Sequence, residues 1–127
     1  MDTFSSFETP FQYSDNDEYI RAIRFNMIRK NGDIKISAFK SNRGGVSVTR
    51  CNNTVYEKAM AYMLSNFEGA MASFPVMICK ENSIYEKHCP SPGHNLHHWE
   101  LYGDPQSGEL TLAQITALVK ASVVERH

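Results

Sequence analysis

An alternating segment that ends at a tight turn constrains the fold of this chain most. Between Tyr19 and Ile28, successive side chains of a strand would point to opposite faces, and four of the five on the odd-numbered face are apolar. The Asn31-Gly32 pair that follows is typical of a two-residue hairpin turn. The sequence therefore predicts a strand over Tyr19–Ile28 and an antiparallel return strand over Ile34–Phe39.

The rest of the chain contains three further segments with strand character. Val46–Arg50 alternates and is rich in β-branched side chains, which favour strands. The other two segments are Ala70–Ser73 and His97–Tyr102. A Cys-Pro-Ser-Pro-Gly sequence predicts that residues 81–96 are a loop.

Two capping boxes predict where helices begin. Thr54-x-x-Glu57 precedes an apolar stripe that ends near Gly69, and Thr111-x-x-Gln114 precedes a second stripe. That second stripe comprises Leu112, Ile115, Leu118 and Val119, and a helical turn is also predicted over Phe74–Lys80. Together these elements predict an α+β single domain over residues 18–127, with a mostly antiparallel sheet, two or three packed helices, and a flexible N-terminal arm over residues 1–17.

The composition narrows the class of protein. A chain of 127 residues with 42% hydrophobic and 21% charged residues is typical of one soluble globular domain. The formal net charge of −1 makes no strong case for binding duplex nucleic acid, which usually needs a basic excess. No segment approaches the roughly 20 apolar residues that cross a bilayer, so no membrane association is expected. The N-terminal segment lacks the basic residues with which a secretory signal begins. We therefore expect a cytoplasmic location and free thiols on all three cysteines.

The last predicted strand carries the strongest candidate site. Alternation places His98, Glu100 and Tyr102 on one face, and Trp99 and Leu101 on the other. An imidazole and a carboxylate on a common face can transfer protons or hold a polar ligand, so His98 and Glu100 are the candidate catalytic pair, with Tyr102 a candidate ligand contact. The alternative is a partly exposed edge strand whose polar side chains face solvent.

Basic and hydroxyl side chains of the first three predicted strands are the candidate anion-binding residues. Arg21 is a charged side chain on an apolar strand face. It needs either an ion pair with a carboxylate such as Glu100 or a position at the edge of a water-accessible pocket. The Gly-Gly turn at residues 44–45 with neighbouring cations could bind a phosphate, although a solvated loop is the alternative. The candidate ligand-binding residues are Arg21, Ser37, Lys40, Arg43, Ser47 and Arg50.

Two further groups of residues leave alternatives open. Mixed thiol and imidazole ligands can enclose zinc, but the spacing matches no standard finger and no cofactor is expected; the residues concerned are Cys79, His88, Cys89, His94, His97 and His98. Cys51 could act as a nucleophile with His98, although a buried structural thiol is the simpler interpretation. The aromatic residues Phe4, Phe7, Phe11 and Tyr13 could form a stacking platform for a base or a partner surface, or cover a sheet edge.

Four short motifs together resemble those of a family of small bacterial proteins. They are Arg21-Ala22-Ile23, Ser37-Ala38-Phe39-Lys40, Gly45-Val46-Ser47-Val48-Thr49-Arg50, and the His-x-Glu of His98 and Glu100. The resemblance implies a shared site rather than a particular reaction, and a setting in phage conflict or toxin–antitoxin systems. A weaker resemblance to the ADP-ribosyltransferase-like fold implies a nicotinamide-type pocket with Arg21, Ser37 or Ser47, and Glu100.

Three hypotheses follow for the function. The first is a small bacterial domain that binds an anionic, nucleotide-derived small molecule. The second is an enzyme of ADP-ribosyltransferase-like or phosphodiester chemistry that uses His98 or Glu100. The third is a protein-interaction module whose N-terminal arm inhibits a partner. All three depend on whether the basic residues and the late His-x-Glu strand line a common cavity.

Overall fold

Residues 12–40 and 45–125 are described by the computed structural model, and within them six strands form one antiparallel sheet that three helices cover. The strands are β1 (Glu18–Ile23), β2 (Val46–Cys51), β3 (Ala70–Pro75), β4 (Tyr85–His88), β5 (His98–Tyr102) and β6 (Val123–Glu125), and the helices are α1 (Tyr56–Asn66), α2 (Val76–Glu81) and α3 (Leu112–Ala121). Their order across the sheet is β4-β5-β2-β1-β3-β6. The predicted α+β class with a mostly antiparallel sheet is confirmed.

Side-chain alternation gives the sheet two apolar faces, and helices cover both. Helix α1 packs on the face that contains Ile20, Cys51 and Met71, where Met60 and Met63 fill the space between helix and sheet. Helices α2 and α3 pack on the opposite face, whose buried side chains include Tyr19, Val48, Phe74, Leu101, Cys79 and Leu118. We call these the α1 face and the α2/α3 face.

The predicted hairpin is wrong in its second half. Strand β1 ends at Ile23, a 3-10 helix follows at Phe25–Met27, and the turn is closed by a single bridge between Ile28 and Ile34. The predicted return strand is instead a 3-10 helix at Ile36–Phe39 that buries Phe39 against Phe74. The physical reason is that β2 and β3 already occupy both edges of β1, so no edge is left for a third partner.

Two short strands at the edges of the sheet were not expected from the sequence. Strand β4 lies within the predicted loop over residues 81–96, which is therefore wrong for Tyr85–His88. Strand β6 follows α3 directly and pairs with β3. Neither strand contains a buried residue, so neither needs the alternating apolar face by which a strand is recognised in a sequence.

The two predicted capping boxes have different outcomes. The Thr111 hydroxyl accepts a hydrogen bond from Gln114 N and the Gln114 side chain accepts one from Thr111 N, as predicted. The box at Thr54 is wrong, because α1 begins later and the Asn52 side chain instead accepts a hydrogen bond from Val55 N. Leu112, predicted to be buried, is 63% exposed, since it lies in the first turn of α3 beyond the edge of the core.

Candidate functional site

A cavity of about 420 Å³ lies between the C-terminal half of α1, strands β1 and β2, and the loop before β5. We call it the Arg21 cavity. Its described lining consists of Arg21, Ala22, Ser47, Val48, Thr49, Tyr62, Met63, Phe67, Ser91, His94, Asn95 and His98. This lining includes one arginine and two histidines but no carboxylate, so it favours an anion.

Arg21 occupies a gap where strands β1 and β2 separate. The two strands pair only as far as Ile20 and Thr49, so the Ser47 carbonyl has no strand partner on that side. The Arg21 guanidinium donates from Nη1 to the Ser47 carbonyl (2.9 Å) and from Nε to the Ala38 carbonyl (2.7 Å). Its side chain therefore completes the hydrogen bonding that a continuing strand pair would have supplied.

The charge of Arg21 is not balanced by any carboxylate among the described residues. No described aspartate or glutamate forms an ion pair with it, including the Glu100 suggested by the sequence, and its Nη2 has no hydrogen-bond partner among them. Burial lowers the pKa of Arg21 to about 10, which still leaves the guanidinium charged at neutral pH. A half-buried cation with unused donors is a group that an anionic ligand would stabilise.

His98 lies at the first position of β5 and lines the same cavity. Its Nδ1 is 3.0 Å from the Cys89 carbonyl, and a carbonyl can only accept, so Nδ1 carries the proton. In the neutral imidazole Nε2 is then an acceptor, and it forms no hydrogen bond with a described residue. The backbone thus selects one tautomer and leaves the other nitrogen available to a ligand or a proton.

Glu100 and Tyr102 lie on the α1 face with His98, as the alternation predicts, but they do not line the Arg21 cavity. The Tyr102 hydroxyl donates to the Glu100 carboxylate at 2.6 Å, and this bond raises the pKa of Tyr102 to about 12. A β-carbon at Gly45 would approach Glu100 Oε1 and the Tyr102 ring to 2.8 Å. Glycine at this position therefore lets the start of β2 lie against the pair. Ser47, opposite Glu100 in the sheet, is the link between this pair and the cavity.

Arg50 lies on the other face of the sheet, away from the Arg21 cavity. Its Nε donates to the Asp17 carboxylate at 2.9 Å, and Nη1 lies 3.7 Å from Glu86. Its guanidinium packs over the rings of Trp99 and Tyr13, at 4.5 and 5.0 Å from their centroids. This is a buried and fully compensated charge, so the arrangement holds the fold together rather than presenting a cation to a ligand in the cavity.

The remaining predicted ligand-binding residues lie outside the cavity. Ser37 and Lys40 are exposed on the 3-10 helix Ile36–Phe39 and its C-terminal cap, next to the carbonyl that binds Arg21. Arg43 lies outside the described residues. Of the six predicted basic and hydroxyl contacts, the structure brings Arg21 and Ser47 together with His98.

The residues considered for zinc do not converge. Within residues 12–40 and 45–125, no three histidine, cysteine or acidic side chains are arranged to hold a metal ion. Cys79 is buried in the core on the α2/α3 face, whereas His94 and His98 line the cavity on the α1 face. His88 stacks on Trp99 with ring centroids 4.8 Å apart, and His97 Nδ1 lies 2.7 Å from the Tyr13 hydroxyl.

The segment before β1 packs on the sheet where the structure describes it. Tyr13 contacts His88, His97 and Trp99 edge to face, and Asp17 is buried against Arg50. Phe4, Phe7 and Phe11 lie outside the described residues. The candidate nucleophile Cys51 is buried beneath α1, and burial raises its pKa to about 12, which keeps the thiol protonated and unreactive at neutral pH.

Sequence reasoning missed several cavity residues. Tyr62 falls beside the apolar stripe of α1, and its ring meets Phe67 edge to face with centroids 6.5 Å apart. The Asn95 side chain donates to Thr49 Oγ1 at 2.8 Å and accepts from His97 N, which holds the loop before β5 over β2. An aromatic pair spaced five residues apart near a helix end was a usable signal for Tyr62, whereas the sequence contained none for Asn95.

Comparisons with family models, with curated proteins and with solved structures give no match for this chain, so both resemblances remain predictions. Within residues 12–40 and 45–125, no helix has the length and apolar character needed to cross a bilayer.

Proposed function

We propose that this protein binds a compact anionic ligand, derived from a nucleotide, in the Arg21 cavity. The observation that carries the proposal is the half-buried Arg21, which has no carboxylate partner among the described residues and keeps Nη2 unused. Guanidinium groups bind phosphate oxygens through short, charge-assisted hydrogen bonds. A phosphate in the cavity would supply the missing negative charge.

The rest of the lining suits the nucleoside part of such a ligand. A volume of about 420 Å³ falls in the range of small-molecule sites. Tyr62, Met63 and Phe67 form an apolar and aromatic wall on the helix side. A base could pack on this wall while its phosphate contacts Arg21 and the imidazoles of His94 and His98.

Calorimetric titration tests the proposal with AMP, GMP, CMP, UMP, ATP and NAD as probes. We expect at least one of them to bind, and Arg21→Gln to weaken binding by at least about tenfold because a charge-assisted contact is lost. Arg29→Gln is the matched control, since Arg29 is exposed and lines a different cavity.

A second variant distinguishes a loss of binding from a loss of folding. Arg21 also satisfies two backbone carbonyls, so its replacement could destabilise the sheet. His94 is exposed and its described contact is made by the backbone, so His94→Ala should fold normally and still weaken binding. Absence of binding by every probe, or unchanged affinity in both cavity variants, would overturn the proposal.

Catalysis of ADP-ribosyl transfer or phosphodiester cleavage is a second candidate function. It is favoured by the tautomer of His98, whose Nε2 could take a proton from an attacking hydroxyl or water. Chromatography after incubation with NAD or a dinucleotide would detect turnover. Products that disappear in His98→Gln but persist in Arg29→Gln would support catalysis. Binding without turnover would leave ligand binding as the proposed function.

A further inference from the structure

A second, larger cavity adjoins the Arg21 cavity. Its volume is about 710 Å³, and we call it the outer cavity. The residues that line it include Arg24, Phe25, Asn26, Asn66, Phe67 and Glu68. Phe67 lines both cavities, so the two lie side by side.

Two stretches of chain line both cavities: β1 with the residues that follow it, and the C-terminal part of α1. Residues 21–22 of β1 lie in the Arg21 cavity and residues 24–26 lie in the outer one, while α1 contributes Tyr62 and Met63 to the first and residues 64–66 to the second. A single ligand that extends along the C-terminal ends of β1 and α1 would therefore pass from one cavity into the other. The ring of Phe67 would lie at the midpoint.

The outer cavity has a different chemistry from the Arg21 cavity. Phe25 is 58% exposed and Phe67 is 44% exposed, which is unusual for phenylalanine and offers two ring faces for stacking. Arg24 and Glu68 carry opposite charges, so the described lining has no net charge. The Asn66 amide donates to the Tyr62 carbonyl, and within residues 12–40 and 45–125 neither Oδ1 of Asn66 nor the side chain of Asn26 has a hydrogen-bond partner.

We infer that the ligand is a dinucleotide, with a phosphate and one nucleoside in the Arg21 cavity and the second base in the outer cavity. The inference rests on the proposed function. A neutral, aromatic and amide-lined cavity next to a cationic one fits an uncharged base that is linked to a phosphate. A mononucleotide would leave the outer cavity empty and its phenylalanines exposed.

A comparison of ligand lengths tests the inference by calorimetric titration. The probes are the four 5′-phosphorylated homodinucleotides pApA, pGpG, pCpC and pUpU, each paired with its mononucleotide. We expect at least one dinucleotide to bind about tenfold or more tightly than its mononucleotide, because a second base stacks on an aromatic ring. Phe25→Ala should remove that advantage without changing mononucleotide affinity, since Phe25 lies outside the Arg21 cavity.

The control is Leu112→Ala, which removes another exposed apolar side chain, on α3, and should leave both affinities unchanged. Equal affinity for dinucleotides and mononucleotides, with both reduced by Arg21→Gln, would overturn the inference and leave the proposed function standing. Absence of binding by all eight probes would overturn the inference, and absence of binding by ATP and NAD as well would overturn the proposed function. A dinucleotide advantage that survives Phe25→Ala would also overturn the assignment of the second base to the outer cavity.

Discussion

Two arginines on neighbouring strands differ in what balances their charge. Arg50 is buried with Asp17 and Glu86 and lies between aromatic rings, so every part of its guanidinium has a partner on the α2/α3 face. Arg21 has only carbonyl partners among the described residues and lies beside a cavity. A buried ion pair stabilises a fold only while both partners remain, whereas an uncompensated cation favours the binding of an anion. The same residue type thus serves structure at Arg50, whereas at Arg21 we propose that it serves recognition.

Replacement of Asp17 should expose the energetic cost of an unpaired Arg50. Asp17→Asn keeps the shape but removes the charge, and the side chain of Asp17 is completely buried. We expect the free energy of unfolding to fall by about 3 kcal/mol in urea titrations, the lower end for a broken buried pair because Glu86 remains near.

The matched control is Asp15→Asn. Asp15 forms its ion pair with Lys80 at 3.6 Å, but its side chain is 69% exposed. We expect that variant to lose less than about 0.5 kcal/mol. Similar losses in both variants would contradict a special role for the buried pair.

His97 should make the stability depend on pH. It is 2% exposed, and burial together with the nearby His88 lowers its pKa below the ordinary 6.5. The unfolded chain takes up a proton at a higher pH than the folded protein does, so the contribution is complete above pH 6.5 and is lost as the pH falls below it. Between pH 7 and 5.5 we expect the free energy of unfolding to fall, by at most about 1 kcal/mol for one histidine.

Two histidine variants separate this effect from other titrations. His97→Gln should have a flatter dependence of the free energy of unfolding on pH over the same interval. His94→Gln should keep the slope of the unmodified protein, because His94 is exposed. An unchanged slope in His97→Gln would contradict the assignment.

At the scale of single elements, the sequence-based predictions were most accurate for features that depend on interactions between neighbouring residues. The alternation of β2 and β5 and the capping box of α3 depend on residues next to one another, and all three are confirmed. The segment Ile36–Phe39 alternates less clearly, and its conformation depends on the fact that β1 has no free edge. That fact involves Ala70–Pro75, more than 30 residues away, so no local pattern could reveal it.

The helix starts provide a direct test of which capping hydrogen bonds exist. Thr111→Ala should lower the free energy of unfolding by about 1 kcal/mol, because it removes the acceptor for Gln114 N at the start of α3. Thr54→Ala should have almost no effect, since Thr54 lies before the N-cap Val55, and α1 has no side-chain capping hydrogen bond to lose. Chemical denaturation of the two variants measures both values, and a larger loss in Thr54→Ala would reverse this assignment.

At the scale of the whole molecule, the candidate site forms where distant segments meet. Arg21, Ser47 and His98 come from β1, β2 and β5, and the order β5-β2-β1 brings the late strand β5 beside the first two. The sequence identified these three residues as candidates. It also grouped them with Arg50, which alternation along β2 places on the opposite face of the sheet from Ser47. Residues that share a motif therefore need not share a face of the sheet.

The two cores on opposite faces of the sheet raise the question of whether the molecule unfolds as one unit. Cys51 lies beneath α1 and Cys79 lies in the core on the α2/α3 face, and burial raises the pKa of both thiols. Both should therefore resist a thiol reagent in the native state, while the half-buried Cys89 reacts first. In a Cys89→Ser background, labelling of each buried thiol reports the opening of its own core.

Because β1 and β2 supply side chains to both faces, we expect both cores to open together. Cys51 and Cys79 should then be labelled at the same rate at every urea concentration, as mass spectrometry of the labelled peptides would measure. Faster labelling of Cys51 would mean that α1 detaches from the sheet before the rest unfolds. Since α1 also forms one wall of the Arg21 cavity, such local opening would expose the candidate site as well. A bound anion should slow the labelling of Cys51 in that case, because it would stabilise only the closed form.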